Sequence, residues 1–434
     1  MKENMKIIIL GNSPAALKVI EDIRQAQSEA EIMIFPFGNY LPYNRYLFSD
    51  FILKDIAPEE IFLQPESYYK DRNIALISDK KIARINFKKN RIFFETKEQL
   101  DYDFLIIAGT EANKFPDVKG VHKTGVYGGC HINDVQELFK QLPLWETIVV
   151  QSAGLAGLKL ALALQKRGKE VLFISPSANF LSDVIDPASG TILGKLAEEQ
   201  GLRVFLQNSI QEVLGDNDAK AIRLNSGKVL GCQAIIFADA AVDLRLFKDS
   251  DLSFAQRIAV NEYFQTNFAN VFAVDSVCDC GQDYLWEEYE SSLAFLKQQG
   301  EVVAAKILDQ QKTWAWPLLQ SSFAITEKKV QIIGETLPHE ARQVFSALPE
   351  GTADLRKAFL QNEQLVGAIA VNHQGFAESA VRCITAKIPW SEISDPLIKD
   401  LCAENHPIHE ELGTNSLEIP SIAAFEPTTR ENPA

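Results

Sequence analysis

Two short stretches set small residues where phosphate chemistry needs them. "GNSPAA" places Gly11, Ser13 and Ala16 at the spacing G-x-G-x-x-G, and "SAGLAG" places Ser152, Gly154 and Gly157 at the same spacing. In such a turn the first glycine makes the tight bend. The second lets the backbone approach a diphosphate, and the third lets the helix pack closely on its strand. The helix that follows turns backbone N–H groups and a positive dipole end toward the anion. Pro14 stands just inside the helix start, where a missing N–H costs little. Taken alone, each turn also suits a plain strand-to-helix junction. The position of the first at the start of the chain, with the motifs downstream, favours a phosphate site.

The positions that would complete such sites are altered. The first turn has no acidic partner for a ribose, since no Asp or Glu lies between Glu31 and Asp50. At the second turn Ser152 replaces the first glycine, and Ser175 stands where a carboxylate ends the following strand. No Lys or Arg lies between Lys169 and Lys195 to meet a 2′-phosphate. Cys278 and Cys280 form the one close cysteine pair, with no second pair at zinc spacing. Cys130–His131 and His406/His409 are equally isolated, so no metal site is expected.

The elements that must position these turns are legible as patterns. "KIIILG" (Lys6–Gly11) reads as a buried parallel strand, "SPAALKVIEDIRQ" as a capped helix and "EIMIFPF" as the second strand. "RINFKKNRIFFE" reads as a hairpin around Lys89–Asn90, and "YDFLIIAGT" as a further buried strand. The second β-α-β runs from Ile148. Its helix is apolar almost all round, and Gly168 sits where a helix end wants a left-handed residue. "TILGKLAEEQG" and "LRVFLQ" continue the alternation, and "QAIIFADA" and "ANVFAVDS" are short buried strands. "SSLAFLKQQGEVVAAKILDQQ" is a long helix. After "KTWAWP" come the strands "KVQIIGE", "LRKAFLQ" and "QLVGAIAVN", the last two joined around Asn362–Glu363, and a closing helix "FAESAVRCITAKI". The fold class is therefore α/β, with two Rossmann-like domains and a small α+β C-terminal domain.

Bulk properties set the frame. A chain of 434 residues exceeds one core of about 250–300 residues, so several domains are expected. Hydrophobic content of 46% and charged content of 23% are those of an ordinary globular protein. A net charge of −15 argues against nucleic acid or an anionic membrane as partner, and leaves room for a basic electron-carrier protein. No apolar run is long enough for a bilayer span and the N-terminus lacks signal-peptide features, which points to the cytoplasm.

The order of the two turns, "YLPYNRYLFS", "YDFLIIAGT", "TNFANVFAVDSVC" and "QQGEVVAAKIL" resembles the FAD-dependent pyridine nucleotide–disulfide oxidoreductase family. The similarity is greatest to rubredoxin and ferredoxin reductases and the flavin part of nitrite reductase, over about Lys6 to Cys402. The resemblance implies a discontinuous FAD-binding domain (1–112 and 232–312), an inserted NAD(P)-binding domain (113–231), a C-terminal domain (313–403) and an extended tail (404–434). It implies FAD at Gly11, Ser13, Pro14, Ala16, Arg45, Gly109, Asp275 and Ser276, and NAD(P)H at Gly154 and Gly157. It also allows a homodimer. Asp275 takes the position of a family glycine and Ser276 that of the ribityl-binding aspartate. Tyr46 and Asp50 replace the family's Pro and Lys, Gly109 and Thr110 appear in swapped order, and Lys159 replaces a glutamate near the nicotinamide. "LPYNRYLFSD" has no cysteine, so electron transfer fits better than disulfide reduction; no catalytic residue is assigned. Three readings stay open: an FAD-dependent oxidoreductase using NAD(P)H, one that keeps FAD but takes electrons from a protein, and a non-catalytic scaffold.

Overall fold

The computed structural model describes residues 5–11, 13–26, 29–36, 41, 43, 47–54, 58–109, 111–129, 131–281, 293–325, 327–339, 342–348 and 354–403. The expected tail from Glu404 and the sites Arg45 and Thr110 lie outside them.

Two parallel sheets carry the two turns. The first is five-stranded, in the order Ile74–Leu76, Glu31–Phe35, Lys6–Gly11, Phe104–Ala108, Val271–Val274. The second runs Arg203–Phe205, Glu170–Ile174, Thr147–Gln151, Ala234–Phe237, Val126–Gly128. All pairs within both sheets are parallel. Their strands read as continuous apolar runs because helices and loops cover both faces: Ile7 to Leu10 and Leu105 to Ala108 are buried throughout. The second sheet lies in sequence between two adjacent strands of the first, Phe104–Ala108 and Val271–Val274, which makes it an insertion.

The helices follow their expected signals. Ser13 caps the helix Pro14–Ala26, its hydroxyl accepting from the Ala16 N–H at 3.3 Å. The apolar helix Leu155–Lys166 is buried on nearly every side, and Gly168 beyond it has φ +78°. The helix Leu293–Ile307 crosses the first helix so closely that a Cβ on Gly300 would lie 2.4 Å from the Ala15 carbonyl oxygen.

The C-terminal region is richer than expected. Its antiparallel sheet has five strands, in the order Gln320–Ile325, Lys328–Gly334, Gln364–Val371, Arg356–Gln361, Arg342–Ala347. The first and last carry polar residues at half of their positions, so neither has the continuous apolar run of the inner strands. Asn362 and Glu363, at φ 50° and 58°, form the tight hairpin turn. The helix Gln374–Thr385 is not the last: Pro396–Ala403 follows it.

One face of this sheet shares a core with the inserted unit, where Phe323, Ile325 and Ile332 pack in one cluster with Phe180, Val184 and Ile185. Buried polar contacts also cross that interface. Thr336 donates its hydroxyl to the Val184 carbonyl at 2.6 Å, and Lys357 reaches Asp186 at 2.7 Å with both side chains almost fully buried. Asp186 also caps the helix Pro187–Glu199, accepting from the Ala188 and Ser189 N–H groups. Removing one member of a buried ion pair leaves the other charge uncompensated. Lys357→Met is therefore expected to lower unfolding stability by about 3–5 kcal/mol, measured by denaturant titration. A loss below about 1 kcal/mol, the range of an exposed pair, would contradict this role.

Candidate functional site

The first turn sits where three adjacent parallel strands end together. Gly11, Gly109 and Asp275 close or directly follow the strands Lys6–Gly11, Phe104–Ala108 and Val271–Val274, and all three have left-handed backbone, with φ +110°, +83° and +67°. At Gly11 the requirement is absolute: a Cβ there would lie 1.9 Å from the Ala108 carbonyl oxygen. Asp275 answers the question raised by its alignment with a glycine. It keeps the glycine's conformation, and aspartate tolerates that region because its carboxylate bonds locally. Its Oδ1 accepts from the Ser276 N–H at 2.7 Å, while its own N–H donates to Gln299 Oε1 at 2.7 Å. Ser276 is buried at the same bend.

Behind Gly11 the helix Pro14–Ala26 begins at once. Four N–H groups at a helix start have no intrahelical partner. Here Pro14 supplies none and Ala16 gives its own to Ser13 Oγ. Ser13, Pro14, Ala15 and Ala16 are all buried. The glycine, the helix start and the two neighbouring left-handed ends thus fit a diphosphate laid across the strand ends. Arg45 lies outside the described residues.

The second turn has the same strand–turn–helix plan but different occupancy. Ser152 is buried at 1% exposure, and its hydroxyl donates to Asp239 Oδ1 at 2.7 Å. The same carboxylate oxygen accepts from the Ala153 N–H at 3.3 Å, and the Gly154 N–H donates to Ser152 Oγ at 3.1 Å. Gly157 gives up its side-chain space to the serine: a Cβ there would lie 2.1 Å from Ser152 Cβ. Ser175 is buried and turned to its own loop, its hydroxyl accepting from the Ser177 N–H at 3.3 Å. Lys159 projects from the following helix toward the C-terminal sheet and reaches Ser321 Oγ at 3.3 Å.

Asp239 escaped the sequence reading. It follows the strand Ala234–Phe237, which pairs with Thr147–Gln151, so parallel register brings it beside Ser152. The "FADA" stretch holds that signal only once the strand order is known.

A cavity of about 870 Å³ that Ser276 helps to line is walled on one side by the antiparallel pair Glu111–Asn113 and Ala240–Val242. Lys114, Lys248, Arg245 and Arg257 line it, with Asp243 as an acidic member. Arg257 donates to the Ser276 carbonyl, tying the cavity wall to the bend. Arg245, hydrogen-bonded to Asp243, holds that carboxyl below its ordinary range.

Cys278 lies three residues past Asp275, fully buried, with its thiol donating to the Asp275 carbonyl at 3.2 Å. Burial, then the neighbouring Cys280, push this thiol well above its usual value, which suppresses the reactive thiolate. Among the described residues, no group of three or more His, Cys, Asp or Glu could hold a metal, and no helix is long and apolar enough to cross a membrane.

A sequence profile described as pyridine nucleotide-disulphide oxidoreductase matches residues 5–294. The chain is 26% identical over 308 residues to the assimilatory nitrate reductase electron transfer subunit of Bacillus subtilis, covering 70% of this chain and 39% of that protein. It is 23% identical over 414 residues to the nitrite reductase [NAD(P)H] of the same organism, covering 94% of this chain and 50% of that one. The chain thus spans half or less of the length of these relatives. In structure it superposes on the putidaredoxin reductase–putidaredoxin complex with a TM-score of 0.80 at 18% identity, covering 92% of this chain and 99% of that one. This likeness establishes the fold.

Two outcomes test the geometry. Asp275→Gly and Asp275→Ala both delete the carboxylate, but only glycine suits φ +67° freely. The alanine variant is expected to be less stable than the glycine variant by about 1–2 kcal/mol in parallel unfolding curves. In the native protein Cys278 should resist alkylation at neutral pH and become labelled only on denaturation, as read by peptide mass mapping.

Proposed function

The chain belongs to the pyridine nucleotide-disulphide oxidoreductase family, and from that premise we propose that it is an FAD-dependent oxidoreductase passing electrons to a carrier protein or a small acceptor. The observation that carries this reading is the row of left-handed strand ends at Gly11, Gly109 and Asp275, on neighbouring strands, with a helix N-terminus beside them. In open α/β sheets, ligands settle at the carboxyl ends of the strands, where the strand order changes direction. That point falls between Lys6–Gly11 and Phe104–Ala108.

FAD, when bound, supplies the hydride and single-electron chemistry. The chain's own part is placement. Gly11 lets the turn lie against Ala108, the helix start at Ser13 and Ala15 would hold the diphosphate, and Asp275 or Ser276 would hold the ribityl chain. Arg45 is the side chain proposed to hold the nucleotide half. Acceptance of electrons by a carrier is supported by relatives named as an electron transfer subunit and a rubredoxin-NAD(+) reductase. "LPYNRYLFSD" holds no cysteine, so electron transfer fits better than disulfide reduction.

The test is the visible spectrum of the purified protein after incubation with FAD and removal of the unbound excess. Flavin bands are expected to remain with the protein, and Arg45→Ala should lower the occupancy. A colourless protein after that incubation would sink the flavoprotein reading and leave a non-catalytic scaffold.

A further inference from the structure

The second turn is a nucleotide-type turn whose donors are already engaged. A dinucleotide's diphosphate would bring negative charge to the backbone N–H groups between strand and helix. In this chain the Ala153 N–H is held by the Asp239 carboxylate and the Gly154 N–H by Ser152 Oγ, which is itself tied to the same carboxylate. Asp239 thus puts a fixed anion at the mouth of the turn, where an incoming anion meets like charge.

Two further features act in the same direction. The adenosine end of a dinucleotide needs a hydrogen-bond partner for the ribose where the following strand ends. There Ser175 offers a neutral hydroxyl, accepting from the Ser177 N–H at 3.3 Å, in place of a carboxylate, and the loop beyond sends Phe180, Leu181, Val184 and Ile185 into the core shared with the C-terminal sheet. Lys169, the nearest cation on the N-terminal side, donates to the Trp145 carbonyl at 2.6 Å. At the other end, Lys159 leans on Ser321 of the C-terminal sheet.

We propose that Asp239, held by Ser152, closes the second turn to nicotinamide dinucleotides. The residues present do not fit NAD(P)H, and the pair Ser152–Asp239 decides donor specificity by exclusion. This inference concerns the electron donor and rests on the oxidoreductase reading, but its test reads nucleotide binding itself and is independent of whether flavin is retained.

The experiment is equilibrium dialysis of the full chain against NADH and, separately, NADPH, with three variants alongside. Asp239→Asn removes the charge and keeps a hydrogen-bonding group; Ser152→Gly restores the missing glycine; the third variant combines them. The native chain is expected to show no saturable binding below a Kd of about 1 mM. Asp239→Asn should tighten NADH binding at least about tenfold, and the double variant further. Saturable micromolar binding of either nucleotide by the native chain overturns the proposal, whatever the variants do. So does a double variant that keeps the native circular dichroism spectrum and binds no better than the native chain. Should Asp239→Asn fail to fold, Ser152→Gly alone is read by the same criterion, since it frees the Gly154 N–H and loosens the carboxylate.

Discussion

Backbone pressed against backbone is the constraint on which the molecule depends. Where Lys6–Gly11 hands over to its helix, the chain passes so close to the Ala108 carbonyl that no side chain fits. The same closeness recurs where Gly300 lets the late helix Leu293–Ile307 lie on Ala15 of the first helix. The strand Val271–Val274 and the helix Leu293–Ile307 reach this unit from the far side of the inserted sheet in sequence. Glycine contacts of this kind close the unit around its insertion.

The two turns show how one scaffold can be opened or closed by a few atoms. Both have a strand, a sharp bend and a buried helix. At the first, the bend is lined by left-handed residues and the hydroxyl of Ser13 serves as a cap within the helix. At the second, the hydroxyl of Ser152 turns the other way, into space freed by Gly157, and recruits Asp239. The retained glycine at position 157 therefore accommodates the serine instead of a closer helix. A glycine spacing counts for little until the atoms filling the vacant space are known.

The C-terminal sheet does more than cover an apolar face. Its contacts with the inserted unit include a buried ion pair, Lys357–Asp186, and a hydroxyl-to-carbonyl bond from Thr336. Directional bonds of this kind fix one docking geometry, which an apolar patch alone does not. Because Asp186 also caps the helix Pro187–Glu199, the docking is coupled to the loop that follows Ser175. That loop is part of the shared core through Phe180, Leu181, Val184 and Ile185.

Elements whose signals are local were legible along the chain. Apolar runs gave the parallel strands, Ser13–Pro14 gave the helix start, Gly168 the helix end and Asn362–Glu363 the hairpin, because each depends on a few neighbouring residues. It also placed Asp275 at a glycine position, where the backbone proved left-handed. What meets across the sheets follows from packing. The edge strands Gln320–Ile325 and Arg342–Ala347, with weak patterns of their own, exist by pairing with stronger neighbours. Asp239 lies 87 residues from Ser152 and reaches it only because two parallel strands end side by side. Lys357 finds Asp186 across 171 residues in the same way. Composition and periodicity report a residue's own surroundings along the chain; the partner of a charge is chosen by packing, which closes distances that the sequence leaves open.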